Sequence, residues 1–196
     1  MQSKIILVTG GSRSGKSEFA EKLVKSFPGK CAYIATAEVL DEEMRFRVDK
    51  HRSRRKSDFW INYEAPLNAH EIIDSLPKEA NTILFDCLTI YITNLIFGKD
   101  YESLNDEDKH KKLVSAMKNL LEAMQKSGKT VVIVTNEVGS GIVPLESMSR
   151  DFRDLAGYAN QLTAEISDEV YLVICGIAVE LKKIATELKS GESINV

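Results

Sequence analysis

Apolar and polar positions follow two different periods along this chain. Residues 4–9, Lys-Ile-Ile-Leu-Val-Thr, form a short and almost continuous apolar run, the pattern of a strand buried on both faces. Residues 16–26 switch to helical spacing, with Phe19, Ala20, Leu23 and Val24 on one face, and Pro28-Gly29 stops them. The exchange repeats down the chain. Further strands are expected at 31–35, 82–87, 130–135 and 169–175. Helices are expected at 67–76 (bracketed by Pro66 and Pro77), 88–97, 110–126 and 148–166. Residues 41–56 also read as helical and are very basic. Two stretches read as connections: acidic residues 98–108 and glycine-containing residues 136–144.

Buried strands separated by helices predict an α/β fold, a mostly parallel sheet covered by helices on both faces. Ligands of such sheets sit beyond the carboxyl ends of the strands. The residues of interest therefore follow strands, at 10–17, 36–38, 86–89 and 136–144. No internal repeat or low-complexity linker divides the sequence. One domain spanning 1–196 is expected, with a polar tail after about residue 183 expected to be mobile.

Composition narrows the class. With 196 residues, 43% of them hydrophobic and 28% charged, the chain can fill one compact core. A net charge of −3 gives no electrostatic case for a nucleic-acid partner. The charge is unevenly spread, however. Arg45, Arg47, Lys50, Arg52, Arg54, Arg55 and Lys56 cluster in one segment, and Asp100, Glu102, Asp106, Glu107 and Asp108 in another. Cys31, Cys87 and Cys175 lie in or beside apolar strand-like runs without metal-ligand spacing, so buried thiols are expected. No apolar run approaches the ~18 residues of a membrane span, and the first residues show no leader pattern. A cytoplasmic location is expected.

The strongest chemical signal follows the first strand. Gly10-Gly11-Ser12-Arg13-Ser14-Gly15-Lys16-Ser17 is G-x-x-x-x-G-K-[ST] between a strand and a helix, the P-loop in its confirming context. Its glycines let backbone N–H groups turn inward on phosphate oxygens, and the following helix adds its positive end. Lys16 suits the β- and γ-phosphates, and the Ser17 hydroxyl suits Mg²⁺. Asp86 ends the apolar run Thr82-Ile83-Leu84-Phe85, as a second metal-holding group would; the plain alternative is a helix cap.

The basic segment fits either a solvated helix face or a clamp on a triphosphate. His51 within it is a surface histidine or a nucleophile at phosphorus. His70 and His110 have no chemical companions in sequence and read as surface residues. Residues 136–144, Asn-Glu-Val-Gly-Ser-Gly-Ile-Val-Pro, either line a second substrate's pocket or form an ordinary flexible loop. These motifs alone also fit a P-loop kinase of another small hydroxylated metabolite, or a nucleotide-gated binding protein.

Taken together the motifs match a family. The chain resembles the bifunctional adenosylcobinamide kinase / adenosylcobinamide-phosphate guanylyltransferases of cobalamin biosynthesis, over about residues 4–182. The likeness rests on the P-loop, on Tyr33-Ile34-Ala35-Thr36-Ala37-Glu38, Asp41-Glu42-Glu43-Met44, His51-Arg52, Trp60 and Glu64. It continues through Asp86-Cys87-Leu88-Thr89, Thr93-Asn94-Leu95, Val134-Thr135 with residues 136–144, and Phe152-Arg153-Asp154-Leu155-Ala156-Gly157.

The resemblance implies two reactions. A nucleoside triphosphate, ATP or GTP, phosphorylates the aminopropanol hydroxyl of adenosylcobinamide. GMP from GTP is then carried on a histidine to adenosylcobinamide phosphate, giving adenosylcobinamide-GDP and pyrophosphate. That histidine falls on His51. Some relatives carry a second, adjacent histidine where this chain has Lys50. The implied GTP contacts fall on Gly10, Gly11, Ser12, Arg13, Ser14, Gly15, Lys16, Ser17, Thr36, Ala37, Glu38, Arg52, Ser53, Arg54, Arg55, Glu64 and Asp86. Mg²⁺ falls on Ser17 and Asp86. The implied fold is a RecA-like parallel sheet with one antiparallel strand near the end, supplied by residues 176–182, in a homotrimer.

Overall fold

The computed structural model describes residues 2–38, 57–97 and 104–186. Its elements run β1 (Lys4–Thr9), α1 (Lys16–Lys25), β2 (Lys30–Ala35), β3 (Trp60–Glu64), α2 (Ala69–Asp74) and β4 (Ala80–Asp86). They continue as α3 (Leu88–Ile96), α4 (Asp106–Lys126), β5 (Thr130–Val134), α5 (Ser147–Ile166), β6 (Glu169–Ile174) and β7 (Ile177–Glu180). The seven strands form one sheet in the order β3-β2-β4-β5-β1-β6-β7. Every pairing is parallel except β6 with β7. This is the expected α/β architecture with one antiparallel strand at the end.

The near-continuous apolar strands have a simple cause: each buries both faces. Ile5 and Leu7 of β1 face a core shared with Leu113, Met117 and Met124 of α4 and Ala159 of α5. Ile6 and Val8 face the other side, against Ala20 and Val24 of α1. The expected helical stripe of α1 is the one that packs, with Phe19 and Leu23 partly buried beside it.

Three expectations need correction. The strand Trp60–Glu64 had not been expected. It is an edge strand with Asn62 and Glu64 exposed, so its pattern is too polar to read as buried. Tertiary contacts define it instead: Trp60 packs edge-on against Tyr33 and Phe59. Helix α4 starts a turn before residue 110 because Asn105 caps it, its side chain accepting from Asp108 N at 2.9 Å. Cys31 and Cys87 are buried as expected, but Cys175 is exposed. Cys175 and Gly176 form the two-residue turn between β6 and β7 with φ of 53° and 79°, the left-handed pair of a type I′ hairpin. A tight turn of this kind points its first side chain outward.

Candidate active site

β1 delivers the chain to residues 10–17 at the carboxyl edge of the sheet. Gly11, Ser12 and Arg13 form the exposed crest of the loop. Gly15 precedes α1 with φ 96°, and no side chain caps that helix. The first-turn amides of α1 thus remain directed at the loop, where the helix dipole favours an anion. The loop's glycines are also sterically required. A Cβ on Gly15 would sit 3.1 Å from Gly176 Cα, and one on Gly10 would sit 2.4 Å from the Val173 carbonyl oxygen. The tip of the β6–β7 hairpin therefore packs directly on the loop, and Gly176 N donates to Ser14 O at 2.8 Å.

Lys16 lies beneath the loop, 8% exposed, with Nζ donating to Gly11 O at 3.0 Å. Burial lowers its pKa, and nearby negative charge opposes that shift. Cys87 is uncharged at neutral pH, its thiol pushed up to about 12 by burial and by Asp86. Asp86 is therefore the anion that matters to Lys16 near neutrality. Ser17 is half-buried in the first turn of α1.

Asp86 ends β4, one strand beyond β5 from the phosphate loop. Tyr33 OH donates to Asp86 Oδ2 at 3.0 Å and so sets the carboxylate's direction. Ser17 and Asp86 together offer two hard oxygen donors, a set that suits Mg²⁺ retaining several waters. Among the described residues no group of three His, Cys, Asp or Glu forms a metal cluster. Two such donors could hold an ion that keeps most of its coordinated waters.

Thr36 follows β2 and is fully buried. Its hydroxyl donates to Cys87 O and accepts from Cys87 N, both at 2.8 Å, across a cis Asp86–Cys87 peptide bond. Thr36 N also donates to Asp86 O at 3.2 Å. Its hydroxyl is thus committed to the protein, tying the exit of β2 to Asp86. Asn94 of α3 completes the tie, Nδ2 donating to Thr36 O at 2.8 Å and to Pro66 O at 3.0 Å. Ala37 and Glu38 emerge half-buried beside it, and Glu64 ends the neighbouring β3 in register with Ala35. The sheet therefore brings residues 10–17, 36–38, Glu64 and Asp86 to one edge. His51, Arg52, Ser53, Arg54 and Arg55, like the whole basic segment, lie outside the described residues.

A polar network absent from the sequence reading holds residues 135–137 to the same edge. Thr135 Oγ1 donates to Asn160 Oδ1 at 2.7 Å and lies 3.2 Å from Thr89 Oγ1. Asn136 N donates to Thr89 Oγ1 at 2.7 Å, and Asn160 Nδ2 to Asn136 O at 3.1 Å. The available signal was a set of polar residues at the ends of buried strands, on the apolar helix α3 and half-buried on the amphipathic helix α5. His110 is exposed with its ring 4.7 Å from that of Tyr158, and His70 is half-buried on α2.

Comparison with known proteins agrees with this geometry. The CobU family model, described as cobinamide kinase / cobinamide phosphate guanyltransferase, matches residues 6–181. The chain is 40% identical over 182 residues to the bifunctional adenosylcobalamin biosynthesis protein CobU of Escherichia coli (strain K12). That match covers 91% of this chain and 99% of the relative. The CobU protein of Salmonella typhimurium gives the same identity and coverage. The bifunctional adenosylcobalamin biosynthesis protein CobP of Pseudomonas aeruginosa is 36% identical over 176 residues, 90% of this chain and 96% of the relative. Neither alternative reading, another metabolite kinase or a binding protein without transfer chemistry, has an observation of its own to favour it. A match across nearly the whole chain, on a sheet that gathers the phosphate loop, Lys16 and Asp86, has one meaning: the chain belongs to the cobinamide kinase / cobinamide phosphate guanyltransferase family.

Proposed function

We infer that this chain phosphorylates cobinamide with a nucleoside triphosphate and then transfers a guanylyl group from GTP to cobinamide phosphate. The observation that carries the reading is the convergence of the phosphate loop, Lys16 and Asp86 in a chain matched by the family over residues 6–181. The corrinoid is taken in its adenosyl form, and ATP or GTP drives the kinase step. Loop amides at residues 10–17 and the Lys16 ammonium hold the triphosphate. Ser17 and Asp86 hold Mg²⁺, which when bound neutralises charge on the phosphate oxygens. Tyr33 and Thr36 keep Asp86 aimed at that position. The nucleotide is further contacted by Ala37, Glu38 and Glu64, and by Arg52, Ser53, Arg54 and Arg55, while fully buried Thr36 fixes the backbone beside them.

His51 is the proposed nucleophile of the second reaction. Its imidazole attacks the α-phosphorus of GTP, forms a P–N bond and releases pyrophosphate. Attack by the phosphate of cobinamide phosphate then breaks that bond and carries GMP away. Charge on the leaving pyrophosphate is neutralised by Lys16 and the basic segment. The chain works as one nucleotide-binding domain, in a homotrimer, in the cytoplasm.

GTP labelled at the α-phosphate tests this directly. Label should remain on the denatured protein, labile to acid and stable to alkali. His51→Ala should lose the label while keeping kinase turnover. Label that survives this substitution removes His51 from the role. A chain that never labels and never phosphorylates cobinamide refutes the reading as a whole.

A further inference from the structure

The chain leaving β5 emerges at a particular place. β5 lies between β1 and β4, with Val134 in register with Val8 on one side and Asp86 on the other. Residues 135–137 therefore come out between the phosphate loop and Asp86. Backbone bonds fix them there: Thr135 N donates to Val8 O at 3.0 Å and Glu137 N to Gly10 O at 3.1 Å. Thr89 and Asn160 clamp the two residues before Glu137 from α3 and α5. The Glu137 carboxylate is oriented in turn, since Oε1 accepts from Gly139 N at 2.7 Å. Its other oxygen makes no hydrogen bond among the described residues.

Glu137 also lines a cleft of 620 Å³ with Thr9, Gly139, Arg153, Tyr158 and Gln161. Thr9 supplies a buried hydroxyl with no partner among the described residues, at the phosphate-loop end of this cleft. The walls thus combine an oriented carboxylate, an unpaired hydroxyl and side chains able to hydrogen-bond amides, immediately beside the anion-binding loop.

We propose that this cleft admits the hydroxyl-bearing arm of the phosphoryl acceptor, and that Glu137 is the carboxylate that receives the hydroxyl's proton. The proposal rests on the kinase reading given above. The acceptor oxygen attacks the γ-phosphorus and forms the new O–P bond. The bond from the γ-phosphorus to the β,γ-bridging oxygen breaks, and the nucleoside diphosphate leaves with that electron pair. The hydroxyl proton passes to Glu137 and then to solvent. Sheet order favours Glu137 over the other carboxylates at this edge. Asp86 is turned to Tyr33, while Glu38 and Glu64 leave β2 and β3, farther from β1. Asp154 also lines the cleft, but it sits on α5 with its side chain exposed, 3.6 Å from Arg153 Nε.

Glu137→Gln tests the assignment, because its amide oxygen can still accept from Gly139 N. Kinase kcat should fall roughly 100-fold or more, the scale of a lost proton acceptor. Nucleotide affinity and protein labelling from α-labelled GTP should stay within about threefold of the parent. Glu137→Asp, which keeps the carboxylate, should recover part of the turnover. Gln161→Trp, at the cleft wall, should raise the KM for cobinamide severalfold without weakening nucleotide binding. A Glu137→Gln enzyme with kcat within about threefold of the parent overturns the assignment. So does an equal loss of nucleotide binding and labelling, which makes Glu137 a structural prop of the loop. An unchanged cobinamide KM in Gln161→Trp removes the acceptor from the cleft. A parent chain that fails to phosphorylate cobinamide overturns the functional reading and this proposal with it; a parent-like Glu137→Gln overturns this proposal alone.

Discussion

Thr36 spends one hydroxyl on both backbone groups of Cys87, next to the Asp86 carboxylate. Thr36→Val keeps the shape and orphans the buried Cys87 N–H, while Cys87 O keeps its bond from Tyr91 N at 3.1 Å. It should lower stability by about 1–3 kcal/mol, read by urea unfolding. Thr36→Ser, retaining the hydroxyl, should recover most of that loss. Lys16 is the other residue whose context sets its role. Its ammonium sits under the loop beside Asp86, so Lys16→Ala should disable both transfer reactions while far-ultraviolet dichroism stays native. These two residues were unequally legible. Lys16 is fixed by the loop motif itself. Thr36 was marked by resemblance as a nucleotide contact, and only the fold reveals that its hydroxyl faces the protein.

At the scale of elements, the phosphate loop is held from behind by the β6–β7 hairpin. Gly10→Ala would place a Cβ 2.4 Å from Val173 O, a backbone atom that cannot rotate away. The variant should lose about 1–3 kcal/mol of stability, and GTP should raise its thermal midpoint less than it does for the parent. β1 and β6 are also joined by Lys4 and Glu169, whose Nζ and Oε1 are 2.6 Å apart. That bond holds the Glu169 carboxyl below its usual range, with help from the Tyr171 hydroxyl and against a smaller push from burial. A lowered folded-state pKa contributes stability above the unfolded value and loses it as pH falls through the folded one. Glu169→Gln should therefore cost about 0.5 kcal/mol at neutral pH, and the gap should close in acid. Most elements were legible because strands buried on both faces give long apolar runs. β3 was not, since an edge strand shows water one side and its pairing with β2 is a non-local fact.

The whole molecule leaves apolar side chains uncovered. Ile142 and Leu145 are 96% and 97% exposed, and Ile174 and Ile177 of the β6–β7 hairpin are also exposed. Exposed apolar residues mark a binding surface where they form one contiguous patch. For the proposed homotrimer, light scattering in solution should return three times the chain mass. A monomer at micromolar concentration would count against it. No described helix is long and apolar enough to cross a membrane.

Sequence by itself determined the parts of this protein that depend on local order. The phosphate loop needs only eight consecutive residues, because its ligand groups are mainly successive backbone amides. The alternation of buried strands and helices needs only the period of apolar positions. The spacing of the basic segment left His51 open between a surface residue and a nucleophile; only the family resemblance implied its role, and it lies outside the described residues. Tertiary structure decided what depends on strand order. Placing β5 between β1 and β4 puts Glu137 beside Gly10, although they are far apart in the chain. It also lets Thr36, Asn94 and Tyr33 converge on Asp86 and its neighbour. Neighbours across a parallel sheet are set by how the whole chain buries its apolar surface, which no short window of sequence records.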